Sequence, residues 1–130
     1  MRIIIAGAGH VSETLAKQLH DEKHEIVIVD RSRDRLDQLA KNLDVSFLCG
    51  DVTDPAILQE ADPGRSDVLI CLTDVDQTNI MCAALGRALG YKRVIPSVGD
   101  PRLKVLAESL SFDEYITPAE TVAEKLRSML

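Results

Sequence analysis

Aromatic side chains are almost missing from this chain: two tyrosines, two phenylalanines and no tryptophan in 130 residues. Any core must therefore be aliphatic. Hydrophobic residues make up 45% of the sequence, enough Ile, Leu, Val and Ala to build one. That composition suits helices packed on a buried parallel sheet, whose strands read as Val/Ile runs. Positive charge is also short, with 15 basic residues against 21 acidic ones and a net charge of −6. No basic stripe offsets the deficit, which argues against a nucleic-acid partner. No apolar run approaches the roughly 18 residues a bilayer span needs, so no direct membrane insertion is expected. The opening run from Met1 breaks at Gly7 and reads as a first strand rather than a secretory leader. Cysteine is limited to Cys49, Cys71 and Cys82, an odd number without a Cys-x-x-Cys pair. This argues against a disulfide framework and a zinc site, and for a reducing, cytoplasmic compartment. Missing too are a Tyr-x-x-x-Lys pair, a Cys/His or Ser/His arrangement and a metal-ligand cluster. No catalytic residue and no metal ligand is assigned, and no enzymatic activity is expected.

What the chain does have is a hydrophobic pattern whose period switches. Short apolar runs occur at Arg2 to Ala6, Glu25 to Val29, Val45 to Cys49, Asp67 to Leu72, Arg93 to Val98 and Glu114 to Ile116. Between them the spacing becomes helical: Val11, Leu15 and Leu19 share a face, as do Leu36, Leu39 and Leu43, and Ile80, Ala84 and Ala88. Asp54-Pro55 and Asp100-Pro101 each put an acceptor at a helix N-cap and proline at the first helical position. Thr117 followed by Glu120 has the spacing of a capping box, and Gly90 reads as a helix C-terminal glycine. Pro96 inside the fifth run marks a bulge or an edge segment. Strand and helix alternating six times predict an α/β Rossmann-type, doubly wound parallel sheet of six strands in the order 3-2-1-4-5-6. Residues 1–130 are expected to form one dinucleotide-binding domain, with no linker and no room within them for a second domain.

The strongest chemical signal is Gly7-Ala8-Gly9-His10-Val11-Ser12, which joins the first strand to the first helix. In that context Gly7 permits the tight turn, and Gly9 lets a pyrophosphate approach the backbone. The helix N-terminus then supplies free N–H groups and a favourable dipole. Ser12 stands where the fingerprint has its third glycine, a packing position that a small side chain can fill. His10, in the loop, either touches a phosphate or is solvated. Asp30 ends the second strand about 20 residues on, where a carboxylate accepts bonds from the adenosine ribose. It favours NAD(H) over NADP(H), although Arg31, Arg33 and Arg35 follow and an arginine can accommodate a 2′-phosphate. Gly50 and Asp51 follow the third strand, with Asp51 placed to meet the adenine edge or to serve as a turn residue. Thr73 and Asp74 follow the fourth strand, and Asn79 opens the next helix; each points into the crevice or caps locally.

These segments, together with Thr73-Asp74-Val75-Asp76-Gln77-Thr78-Asn79 and Ser111-Phe112-Asp113-Glu114-Tyr115-Ile116-Thr117-Pro118, resemble the N-terminal nucleotide-binding domain of Trk-type potassium-uptake regulators. This TrkA-N domain is also known as the N-lobe of RCK or KTN domains. The resemblance covers essentially the whole chain, and it implies regulation rather than catalysis. NAD(H), or ATP or ADP in some members, would bind in the crevice and shift an equilibrium that gates K⁺ flow. The implied partners are a membrane-embedded K⁺ transporter or channel subunit and further copies of the chain, as a homodimer or larger ring at the cytoplasmic face of the membrane. Gly7 and Gly9 would hold phosphates, Asp30 the ribose, and Asp51 would lie near the adenine, with Ala8, His10, Val11, Arg31 and Gly50 as further cofactor-binding residues. Thr73, Asp76 and Asn79 would lie across the crevice. Two readings of other classes stay open: the cofactor domain of an oxidoreductase separated from its substrate domain, and a scaffold that only assembles.

Overall fold

The computed structural model describes residues 1–130. The first five apolar runs form parallel strands: β1 (Arg2–Ala6), β2 (Glu25–Asp30), β3 (Ser46–Cys49), β4 (Val68–Cys71) and β5 (Val94–Pro96). They line up as β3-β2-β1-β4-β5, the reversal after β1 expected of a doubly wound sheet. On central β1, Ile3, Ile4 and Ile5 are all buried because both faces of the sheet are covered. Each contributes about 1.5–3 kcal/mol by leaving water. Ile3 and Ile5 pack with Ala16, Leu36 and Leu39 of α1 (His10–Asp21) and α2 (Arg33–Ala40). Ile4 and Ala6 face the other way, toward Leu58, Ile80, Ala83 and Ala107 of α3 (Pro55–Glu60), α4 (Asp76–Ala88) and α5 (Lys104–Ser109).

Local signals set the element ends. Asp54 accepts from the Ala56 N–H at the start of α3. Asp100 does the same for Arg102, but there Pro101 opens a short 3-10 turn that leads into α5. Gly90 ends α4 with φ +103°, and the Gly90 and Tyr91 N–H groups return to the Arg87 and Gly86 carbonyls. These paired bonds close a helix C-terminus around a left-handed glycine. The expected capping box at α6 (Pro118–Met129) does not close. The Thr117 hydroxyl donates instead to Glu120 Oε2 at 3.1 Å, while Lys104 Nζ holds Oε1 at 3.0 Å.

The sixth strand is a correction. The run Glu114 to Ile116 makes a single parallel bridge, Ser97 to Ile116. The Ile116 N–H donates to the Pro96 carbonyl at 3.0 Å, and Val98 returns a bond to Ile116 at 2.9 Å. Pro96 has no N–H to offer the outer side, and Thr117-Pro118 starts a helix one residue later, so the ladder stops there. The same geometry makes Pro96 harmless. Leu69 and Cys71 of β4 bond to Arg93 and Ser97, so the Pro96 nitrogen faces the outer edge, as the edge reading expected. From Ala119 onward every residue of α6 is exposed, including Val122, Leu126 and Met129.

Candidate functional site

The C-terminal ends of β1, β2 and β4 converge on the glycine turn. Gly7 sits at φ +116°, a conformation that L side chains rarely adopt, and a Cβ there would lie 2.6 Å from the Leu72 carbonyl oxygen. Its N–H donates to Val29 at 2.8 Å, fixing the turn against β2. Gly9 is the N-cap of α1; no side chain caps it, and apart from its own adjoining backbone and chain neighbours nothing lies within 4 Å of the point where a Cβ would stand. The first-turn N–H groups of α1 are thus free to meet an anion beside an open approach. Ser12 is fully buried between helix and sheet, as a packing residue should be, and its hydroxyl has no hydrogen-bond partner in the chain.

Asp30 is half-buried at the end of β2. Oδ2 accepts the Ala8 N–H at 3.0 Å and Oδ1 accepts the Ser32 N–H at 2.8 Å. Each carboxylate oxygen retains a lone pair for a ribose hydroxyl. Of the three arginines that follow, Arg35 is committed to the Ala8 carbonyl at 2.6 Å, while Arg31 and Arg33 are exposed. Gly50 packs so closely over Ile57 that a Cβ would collide with that side chain. Next to it, Asp51 Oδ1 accepts both the hydroxyl and the N–H of Thr53, at 2.7 and 2.8 Å. Those two bonds, and more weakly the Arg31 charge, hold the Asp51 carboxyl below its ordinary range. Asp51 is an exposed, ionised acceptor with Oδ2 still free.

Two adjoining hollows lie at these strand ends, and Ser12, Arg33, Arg35 and the expected cofactor residue Gly50 line neither. One, of about 410 Å³, runs along Gly7 to Val11 and reaches Asp30, Leu72, Thr73 and Asp74. The other, of about 270 Å³, is polar and is walled by Asp30, Arg31, Asp51, Thr53, Thr73, Asp74 and Thr78. Asp30, Thr73 and Asp74 border both, so they form one crevice at the switch point of the sheet. His10 sits at its rim, exposed. A third hollow of about 560 Å³ continues from His10, Val11 and Leu72 as an apolar groove over Leu15, Ile70, Ile95 and Ile116.

Asn79 does not reach the crevice. It is 1% exposed, and its amide is used up. Oδ1 accepts the Thr73 N–H at 2.8 Å and the Thr73 hydroxyl at 2.6 Å, while Nδ2 donates to the Thr73 and Ser97 carbonyls at 3.0 Å. Asn79 thus fixes the crevice wall from behind, and Thr73 has already spent its hydroxyl proton on it. Asp76, also expected across the crevice, grips the Gly99 and Asp100 N–H groups at 2.7 and 2.9 Å. Leu72, Val52, Thr53, Val75 and Thr78 also line the crevice. Val75 and Thr78 fall within the Thr73-to-Asn79 segment without a role assigned to them, and for Leu72, Val52 and Thr53 the only signal is a place after a strand end. No group of three or more His, Cys, Asp and Glu could hold a metal, and no helix is long and apolar enough to cross a membrane.

The TrkA-N domain family model matches residues 3–118. The Trk system potassium uptake protein TrkA of Vibrio alginolyticus is 31% identical over 126 residues, covering 96% of this chain and 27% of that protein. The chain therefore spans about a quarter of that relative's length. Among solved structures, the TrkA-N domain of the inner membrane protein ybaL from Escherichia coli superposes with a TM-score of 0.89 at 18% identity, covering 99% of this chain and 96% of that one. The GsuK channel bound to NAD superposes with a TM-score of 0.79 at 21% identity, over 88% of this chain and 21% of that one.

Proposed function

The chain belongs to the TrkA-N domain family, and on that premise we propose that it is the nucleotide-sensing regulatory domain of a potassium-transport system. Its ligand is NAD(H) in preference to ATP or ADP. The carrying observation is the crevice itself: an uncapped helix N-terminus behind an open Gly9, flanked by the carboxylates Asp30 and Asp51. The free N–H groups suit a pyrophosphate, and two acceptors at the ends of β2 and β3 suit ribose hydroxyls and an adenine amine. A carboxylate beside the ribose repels a 2′-phosphate, which favours NAD(H) over NADP(H). Solved neighbours of this fold include GsuK with NAD and with ADP and a Kef domain with AMP, which supports a nucleotide in this crevice.

The output is a shift between two states of an oligomer attached to a membrane-embedded K⁺ transporter or channel subunit, on the cytoplasmic side. A nucleotide moves such an equilibrium only by its difference in affinity for the two states. We place the contact between copies on α6. Val122, Leu126 and Met129 form an exposed apolar stripe at helical spacing, and Ile116, two residues before the helix, lines the apolar groove. A second copy presenting the same stripe and groove closes both by two-fold exchange.

Calorimetric titration with NADH, NAD, NADPH, ATP and ADP tests the ligand. Saturable NADH binding, tighter than NADPH and weakened more than tenfold by Asp30→Ala, is the expected result. Because Asp30 also holds the Ala8 and Ser32 N–H groups, that variant should lose about 2 kcal/mol of stability as well. A folded Asp30→Ala domain with undiminished NADH affinity removes the ribose assignment. Preference for ATP or ADP changes the signal but not the regulatory reading.

A further inference from the structure

Resting on the reading of the glycine turn as a phosphate site, we propose that Arg35 is a positioning residue for nucleotide binding. It aims the main-chain donors of the turn from outside the crevice. The Ala8 residue is held at both ends: its N–H by Asp30 Oδ2 at 3.0 Å, its carbonyl by Arg35 Nε at 2.6 Å. The carbonyl of Ala8 and the N–H of Gly9 belong to one planar trans peptide, in which the two bonds point in opposite directions. Fixing the carbonyl toward α2 therefore fixes the Gly9 N–H away from α2. That N–H makes no hydrogen bond within the chain. The next peptide is fixed in turn by the first helical bond, from the Glu13 N–H to the Gly9 carbonyl at 3.0 Å, which turns the His10 N–H outward. Two successive donors are thus oriented before any anion arrives, and an anion does not have to organise them.

Arg35 is itself held. Its Nη2 lies 3.5 Å from Glu13 Oε1 on α1, its Nη1 reaches Gln38 Oε1 at 3.5 Å, and its backbone N–H is capped by Ser32. The fork joins α1, α2 and the turn, a task a lysine's single ammonium cannot repeat. Arg35 does not line the crevice, whereas Arg31 stands on its wall, so Arg31 is the arginine placed to meet a 2′-phosphate.

Wild type, Arg35→Met and Arg35→Lys are titrated with NADH, NADPH, ADP and adenosine. Methionine keeps much of the aliphatic stem and removes the donors. NADH and ADP affinities should fall about tenfold in both variants. Adenosine, which has no phosphate, should bind all three proteins alike, and the ratio of NADH to NADPH affinity should not change. A general structural defect would weaken adenosine in step with NADH, and that result overturns the proposal. So does undiminished NADH affinity in a folded Arg35→Met domain, or a loss confined to NADPH. Failure of wild type to bind NADH or ADP refutes the underlying phosphate reading instead. The Gly9 and His10 amide resonances then decide the geometry alone: Arg35→Met must move them, and their constancy overturns the clamp.

Discussion

Replacing Ser12 by alanine should stabilise the domain. The Ser12 side chain is completely buried, and its hydroxyl meets no hydrogen-bonding group of the chain. A helical serine ordinarily turns its hydroxyl back to the carbonyl four residues earlier. Here that carbonyl belongs to Ala8, and Arg35 Nε already occupies it at 2.6 Å. An unmade buried hydrogen bond costs about 1–3 kcal/mol. Alanine also exceeds serine in helix propensity by about 0.5 kcal/mol. Against this stands the packing lost with one oxygen atom, about 1 kcal/mol at most. The balance is a gain of about 1–2 kcal/mol, or about 4–8 °C in Tm for a domain of this size. Urea and thermal unfolding followed by circular dichroism measure it directly. NADH affinity should stay within about twofold, because the hydroxyl faces the packed interior and not the crevice. A variant less stable than wild type by 1 kcal/mol or more would show that the hydroxyl is satisfied in solution, and would refute the reasoning.

Gly7→Ala should cost about 3 kcal/mol or more, since its Cβ meets backbone and not a movable side chain at a φ of +116°; a fall in urea midpoint at unchanged slope is the readout. Tyr91→Phe should cost about 1–2 kcal/mol by leaving the Leu58 carbonyl without its 2.8 Å donor. Burial pushes the Tyr91 phenol up to about 12 from an ordinary value of 10. The folded state therefore keeps this proton longer than the unfolded one: the contribution is intact below pH 10 and is lost between pH 10 and 12. An alkaline titration of the melting temperature should show that loss in wild type and a smaller one in Tyr91→Phe. Leu126→Glu should break any oligomer detected by light scattering at high concentration while leaving the monomer's melting temperature within about 2 °C, because Leu126 is exposed.

The parts legible in the sequence were those encoded locally. The Ile3-Ile4-Ile5 run, the prolines after Asp54 and Asp100, and the glycine after Leu89 each dictate a conformation over a few residues. The strand order followed because alternating strands and helices admit few connections. The sixth strand did not materialise because its existence depended on a neighbour, and β5 offers an edge interrupted by Pro96. The same distinction separates the site residues. Gly7, Gly9 and Asp30 are set by their position after strands. Whether Asn79 faces the crevice or supports it depends on the rotamer its amide adopts against Thr73 and Ser97, 18 residues on. No local spacing contains that information. Arg35 was ambiguous for the same reason, since its contact with Ala8 spans 27 residues.

The supporting bonds behind the crevice have a direction. Asn79 ties Thr73 to the Ser97 carbonyl, and Asp76, one helical turn earlier on α4, grips the N–H groups of Gly99 and Asp100. The segment from Ser97 to Asp100 is the same one that bridges Ile116, from which α6 departs. The first turn of α4 is thus fastened at one end to the wall of the crevice and at the other to the root of the exposed helix. A chain of bonds is only a path; it becomes coupling when the fastened element has two arrangements that the ligand distinguishes. The Asn79–Ser97 bond is buried and its loss costs about 1–3 kcal/mol, whereas the Asp76 bonds lie nearer solvent and cost less to break. Under the proposed regulatory function, Thr73 and the Ser97 segment are the two ends whose positions a bound nucleotide would have to change together.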